Sequence, residues 1–141
     1  MGSREYGADG PSDLIGLVYD ELTDERVKAH VPVSPAVVQQ FGIVHGGIHS
    51  LIAESICSAA TGMAVLPNGF IAVGQSNYAT FLRPISAGTI HATATRRHAG
   101  RTTWIWDCEL TDDEGRLCAM VRMTVAVRPQ PGQPEPRQPT P

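Results

Sequence analysis

The fold turns on one stretch, Gly46-Gly47-Ile48-His49-Ser50-Leu51-Ile52-Ala53-Glu54-Ser55-Ile56-Cys57-Ser58-Ala59-Ala60-Thr61-Gly62-Met63-Ala64-Val65. Ile48, Leu51, Ile52, Ala59 and Met63 recur at helical spacing, and Ala53, Cys57 and Ala60 make the back face small. The spacing predicts one long helix from Ile48 to Val65, introduced by two glycines and stopped by Pro67-Asn68-Gly69. Such a helix needs an apolar surface to lie on, and the residues after it supply one. Residues 70–82 are strand-type and end at Arg83-Pro84. Residues 89–98 alternate Thr89, His91, Thr93 and Thr95 with Ile90, Ala92 and Ala94. Residues 102–111 place Trp104, Trp106, Cys108 and Leu110 on one face, and residues 116–127 line up Leu117, Ala119, Val121, Met123, Val125 and Val127. Ser86-Ala87-Gly88, Gly100 and Asp112-Asp113-Glu114-Gly115 separate these runs. Four strands at short spacing predict an antiparallel meander. One long helix followed by such a sheet predicts an α+β fold with the helix packed on one face.

Upstream of the helix, Val27, Ala29, Val31 and Val33 alternate and predict a strand over 26–33, with Pro32 arguing that part of it lies at an edge. Ser34-Pro35 reads as a helix start, with a short helix through Val38-Gln39 ending before Gly42. Residues 14–22 fit a short helix or a strand. Residues 1–12 read as a disordered lead and residues 129–141, with six prolines, as a disordered tail. That leaves one domain over 13–128, which suits a chain of 141 residues.

Composition excludes some function classes. The formal net charge of −3 makes the chain a poor partner for nucleic acid, and basic and aromatic residues do not interleave. No apolar run reads as long enough to span a bilayer, and the first residues lack signal-peptide order, so a cytoplasmic protein without a membrane partner is expected. Cys57, Cys108 and Cys118 are odd in number and unpaired in sequence, which fits reduced thiols. The basic residues are unevenly spread: from residue 71 onward all eight are arginines. Arg83, Arg96, Arg97, Arg101, Arg122 and Arg128 are therefore candidates for binding an anion, because a guanidinium donates two parallel hydrogen bonds to phosphate.

Glu54 stands apart. It is the only Asp, Glu, Lys or Arg between Lys28 and Arg83, and it falls in the middle of the expected core helix. A carboxylate is rarely buried without a partner. On its flank lie Ser50, Ser58 and Thr61, with Ser58 one turn further on. An isolated carboxylate with a hydroxyl neighbour suits a nucleophile or a general base acting on water. The alternative is a glutamate on the wet face of a surface helix. His45-Gly46-Gly47 adds a second element: a helix start presents open N–H groups and a partial positive charge, which can hold a carbonyl oxygen that becomes an oxyanion. His45 reads as a cap or hydrogen-bonding residue and is a candidate substrate contact, so it joins the candidate catalytic group. His45 and His49 are four apart, but no third ligand has metal-site spacing and no metal site is expected.

Taken together, Gln39-Gln40-Phe41-Gly42-Ile43-Val44-His45-Gly46-Gly47 and Leu51-Ile52-Ala53-Glu54-Ser55 resemble the signature of the PaaI-type hotdog thioesterases. Val73-Gly74-Gln75-Ser76-Asn77, Phe81-Leu82-Arg83-Pro84, His98-Ala99-Gly100-Arg101-Thr102-Thr103-Trp104 and Asp113-Glu114-Gly115-Arg116-Leu117-Cys118 extend the likeness. It is strongest to the Arthrobacter-type 4-hydroxybenzoyl-CoA thioesterases, with the 1,4-dihydroxy-2-naphthoyl-CoA thioesterases close behind. The resemblance implies a hotdog fold and hydrolysis of an aryl-CoA thioester. It implies that Glu54 is the catalytic carboxylate, that the Gly46 amide polarises the thioester carbonyl, and that Gln39 lies near the thioester. It implies that Ser58, where many Arthrobacter-type members have Thr, helps place water. Arg83, Arg101, Thr102 and Arg128 fall where the family contacts the CoA moiety. His49, Met63 and Tyr78 are candidates for the acyl end. The resemblance further implies sites between subunits, a homotetramer built as a dimer of dimers, and no cofactor, CoA being part of the substrate. A non-catalytic acyl- or aryl-binding hotdog domain, and a thioesterase for phenylacetyl-type esters, are the competing readings.

Overall fold

The computed structural model describes residues 10–134; most of the expected lead and tail therefore lies outside the described residues. A helical turn α1 (Pro11–Leu14) leads into strands β1 (Val18–Leu22) and β2 (Arg26–Pro32). The long helix α2 (Gly46–Val65) follows, and then β3 (Phe70–Phe81), β4 (Thr89–Ala99), β5 (Thr103–Thr111) and β6 (Leu117–Pro129). All six strands form one antiparallel sheet in the order β1-β2-β4-β5-β6-β3, and α2 lies across its inner face. The ambiguous 14–22 segment thus holds both a helix end and a strand. Pairing continues past residue 128: Pro129 closes β6, and the Gln130 N–H donates to Gly69 O at 2.9 Å.

The expected four-strand meander is corrected to three. β4, β5 and β6 follow one another, but β3 pairs with β6, from Phe70↔Pro129 to Phe81↔Ala119. The chain therefore crosses the end of the sheet between β3 and β4. Residues 82–88 make that crossing by hydrogen-bonding as they go. Leu82 and Arg83 donate to Cys118 O, Ile85 O accepts from Val44, Gly88 O accepts from Val33, and Ile85 is buried beneath. β2 is likewise not an edge strand, although β1 covers it only as far as His30, so Pro32 sits where one side is open.

Two local expectations also change. Residues 34–39 form a turn rather than a short helix. Their amides and carbonyls are taken by a narrow loop in which His45 N–H donates to Val37 O at 2.9 Å and Gln39 N–H to Ile43 O at 2.8 Å. On α2, the face that meets the sheet is His49, Ile52, Ala53, Ile56, Cys57, Ala60, Thr61 and Val65. The small residues face inward, which lets helix and sheet approach closely, whereas Ile48, Leu51 and Ala59 are half-buried and Met63 is exposed. Thr61 ties the two layers with a polar link: its hydroxyl donates to Cys57 O at 2.8 Å and accepts from Trp106 Nε1 at 3.0 Å. The stretch Gly46–Asn68 is, by length and composition, long and apolar enough to cross a membrane, contrary to the sequence reading. Here it is the core helix of the sheet.

Candidate active site at the start of the long helix

His45 is the N-cap of α2. Its Nδ1 accepts from Gly47 N–H at 2.9 Å and its carbonyl accepts from Ile48 N–H at 2.9 Å. The Gly46 N–H between them has no partner among the described residues, and it stands at the positive end of the helix. A side chain at position 46 would displace the Phe81 ring, which a Cβ there would meet at 2.8 Å. Gln39 reaches the same place from the 37–45 loop. Its side-chain oxygen accepts from Phe41 N–H, which leaves its NH₂ to donate elsewhere.

Two cavities meet at Gln39 and Gly46. One, of about 500 Å³, opens between Gln40, Phe41 and His45. The other, of about 360 Å³, is lined by Ile43, Val44, His49, Phe81, Leu82, Arg83 and Pro84. Val44 and His49 are buried at its base, while Phe81, Leu82, Arg83 and Pro84 form an exposed rim. The His49 ring lies 6.0 Å from that of Phe81, and burial lowers its pKa from the ordinary value.

Glu54 is not in this group. It follows Gly46 by eight residues, or about 12 Å along the helix at 1.5 Å per residue. The expectation that it is buried is corrected. Its carboxylate is exposed in the single chain, lying over Gly74 of β3, where a Cβ would meet Oε1 at 3.0 Å. It is exposed because β3 is the last strand of the sheet and, among the described residues, nothing covers the helix beyond it. Gly74 adjoins a register shift that lets β3 curl under the helix. Ser58 is half-buried one turn further on. Thr61, expected on the same flank, is instead held in the core by Trp106. Ser50 contributes its carbonyl to Asn77 Nδ2 at 2.9 Å.

The arginines divide in three. Arg128 donates to Thr102 O and Val127 O, both at 2.9 Å, so Arg101, Thr102 and Arg128 share one corner of the sheet. Arg83 is at the opposite end, where its backbone bonds to Cys118 at the start of β6. The nine residues from Cys118 to Val127 separate the two by roughly 30 Å. Arg96, Arg97 and Arg122 are committed to carboxylates: Arg96 to Asp24, and Arg97 and Arg122 to Asp107. The two bonds from Arg122, at 2.7 and 2.9 Å, hold the Asp107 carboxyl below the ordinary range. Tyr78 lies on the outer face of the sheet with Asp107 and Arg122, and Met63 lies near the far end of α2. In one chain neither belongs to the cavity around Gly46. Sequence reading placed Phe81 and Gly74 within the family-like runs but gave neither a role. The glycine inside a strand run was a usable signal of close approach; the role of Phe81 depends on which strand ends beside Gly46, which alternation does not show.

Comparisons with known proteins agree with this arrangement. The sequence profile of the thioesterase superfamily matches residues 41–119. A candidate esterase of Pseudomonas aeruginosa is 36% identical over 121 residues, spanning 86% of this chain and 83% of its own. A crystal structure of a variant of that protein, there named a thioesterase, superposes with a TM-score of 0.82 at 35% identity, covering 86% of this chain and 87% of the other. A candidate esterase of Vibrio cholerae is 33% identical over 123 residues, 86% of this chain and 81% of its own. A thioesterase of Staphylococcus aureus superposes with a TM-score of 0.81 at 29% identity, covering 84% and 98% of the two chains. The chain belongs to the thioesterase superfamily, and its six-stranded sheet around one long helix is the hotdog fold.

Proposed function

We propose that the protein is an acyl-CoA thioesterase in which Glu54 is the catalytic carboxylate and each active site is shared by two copies. The observation that carries this reading is the 12 Å offset, in one chain, between the partnerless Gly46 N–H and the Glu54 carboxylate (about eight residues of helix rise). The two cannot touch one carbonyl carbon from the same helix. The outer edge of β3, twelve residues long and without a neighbouring strand among the described residues, offers the remedy. A second copy paired antiparallel along that edge sets its helix beside the first in the reverse direction. The Gly46 end of one copy then faces the Glu54 side of the other. The same operation brings the second copy's Arg83 toward the Arg101, Thr102 and Arg128 corner, as one CoA site requires.

In this site the thioester oxygen accepts from Gly46 N–H and is steadied by Gln39. Glu54 of the other copy attacks the carbonyl carbon or takes a proton from the water that does, with Ser58 helping to place that water. The C–S bond breaks and CoA leaves as its thiolate; where Glu54 itself has attacked, water then cleaves the acyl-glutamyl anhydride to the free acid and restores the carboxylate, so hydrolysis requires no metal or redox group. The glutamine and the glutamate changed to alanine in structures of the Staphylococcus relative are fifteen residues apart, the spacing of Gln39 and Glu54. That supports treating the two as a functional pair. We take the substrate to be an aryl-CoA, with 4-hydroxybenzoyl-CoA the best candidate, and the assembly to be a cytoplasmic dimer of dimers of the PaaI type.

Free-thiol release from benzoyl-, 4-hydroxybenzoyl-, phenylacetyl-, dihydroxynaphthoyl- and aliphatic CoA esters tests this. Glu54→Ala is expected to lose about 10²–10⁴-fold in turnover. A near wild-type rate in that variant would remove Glu54 from the mechanism. Thiol release from none of the esters would make the protein a binding domain, and equal rates on all would remove the aryl preference.

A further inference from the structure

Among the described residues, two buried side-chain polar atoms lack a hydrogen-bond partner, His49 Nδ1 and Asn77 Oδ1. Asn77 is at least held through its amide, which donates to Ser50 O. The His49 imidazole makes no hydrogen bond, although the residue is only 4% exposed and lies at the base of the cavity that contains Gln39 and Gly46. An imidazole kept in such a place without a partner calls for one from outside.

We propose that His49 determines acyl-group specificity: its Nε2–H donates a hydrogen bond to an oxygen substituent that the acyl group carries beyond its thioester carbonyl, which selects acyl groups with such a substituent over those without. This rests on the thioesterase reading above and adds to it the chemistry of the group hydrolysed. The tautomer follows from the surroundings. Burial disfavours the imidazolium, so one ring nitrogen carries the single proton. Nδ1 is sealed off with no acceptor, and an orphaned buried N–H is the rarest kind of unsatisfied group. The proton therefore belongs on Nε2, the nitrogen that is not sealed and that is left to face the cavity.

The position of His49 assigns this contact to the acyl side of the thioester. His49 is three residues, nearly one turn, beyond Gly46, and a helical side chain leans back toward the N-terminus. The carbonyl held at Gly46 thus divides the substrate within reach of the imidazole. CoA carries phosphates that must end near solvent and cations. The base of the cavity, with Val44 and His49 buried and neutral, offers neither, while Arg83 stands outside at the rim. Phe81, against the His49 ring and over Gly46, provides an apolar wall on which a flat group can rest. An acyl group with no oxygen beyond its carbonyl would leave the donor dry and unpaired, and such a site rejects the analogue that lacks the polar group.

The test compares benzoyl-CoA with its 2-, 3- and 4-hydroxy derivatives, using kcat/KM from thiol release, for the wild-type protein, His49→Phe, His49→Leu and His49→Gln. The wild type is expected to favour at least one hydroxy isomer over benzoyl-CoA by about tenfold or more. In His49→Phe that ratio should collapse toward one because the hydroxy ester loses far more than the bare one, and His49→Gln, which keeps a donor, should retain part of it. His49→Leu gives the same reading should the larger ring prevent folding, which circular dichroism checks. An equal loss on all four esters, or no discrimination by the wild type, overturns the inference and leaves the thioesterase standing. No hydrolysis of any ester by the folded wild type overturns both.

Discussion

Gly74 and His49 show how single residues are set by what lies across from them. A Cβ at position 74 would come within 3.0 Å of Glu54 Oε1, so Gly74→Ala should push the carboxylate from its place while leaving the core intact. The expected outcome is a fall of about tenfold in kcat, consistent with the cost of misplacing a catalytic group, and a thermal midpoint close to wild type. Circular dichroism melting beside the thiol assay checks it. His49 carries a stability signature independent of activity. Its pKa is lowered in the folded state, so the unfolded chain takes up a proton first as pH falls below about 6.5. Its contribution is full above that pH and is lost progressively as pH falls toward the folded value. Urea unfolding of His49→Gln should therefore show a shallower loss of stability from about pH 7 to pH 5 than the wild type. Glu54 was legible in the sequence because it is the one charge in a long neutral stretch. Its exposure was not, because exposure depends on where the sheet stops.

The elements were legible where one periodicity governs the whole segment. β5 alternates cleanly because its inner face carries Trp104, Trp106, Cys108 and Leu110, all buried, and α2 was found within two residues of its start. The face of α2 was legible only in part, because large apolar residues were taken to mark the core. Ile52 does pack on the sheet, but beside it lie the small Ala53, Cys57 and Ala60, while Leu51 is half-buried and Met63 exposed. The β3 pairing was also beyond sequence reading. Alternation marks a strand but not its neighbour, and the crossing at 82–88 depends on tertiary hydrogen bonds to Cys118, Val44 and Val33. At this scale the Thr61–Trp106 link makes a sharp prediction. Thr61→Val keeps the shape but leaves the Trp106 N–H buried without an acceptor, which should cost about 1–3 kcal/mol in denaturant unfolding. Thr61→Ser, which keeps the hydroxyl, should lose less.

For the molecule as a whole, the proposed shared site predicts complementation. Glu54→Ala and Gln39→Ala, each impaired alone, should on co-expression form mixed dimers with one intact site out of two. With random pairing that restores about a quarter of wild-type sites, as expected when separate copies contribute the parts of one catalytic constellation. A mixture no more active than the sum of its residual rates would place the whole site within one chain. The position of β3 has a further consequence, for synthesis. β3 ends at Phe81, and its only strand neighbour among the described residues, β6, begins at Leu117. At roughly 5–20 residues per second, translation takes about 2–7 s to supply that neighbour. During this interval both edges of the nascent strand are open and only α2, already made, shields its inner face. The strand proposed to join two finished copies is thus one that waits on the ribosome for its partner, shielded on its inner face by the helix made before it.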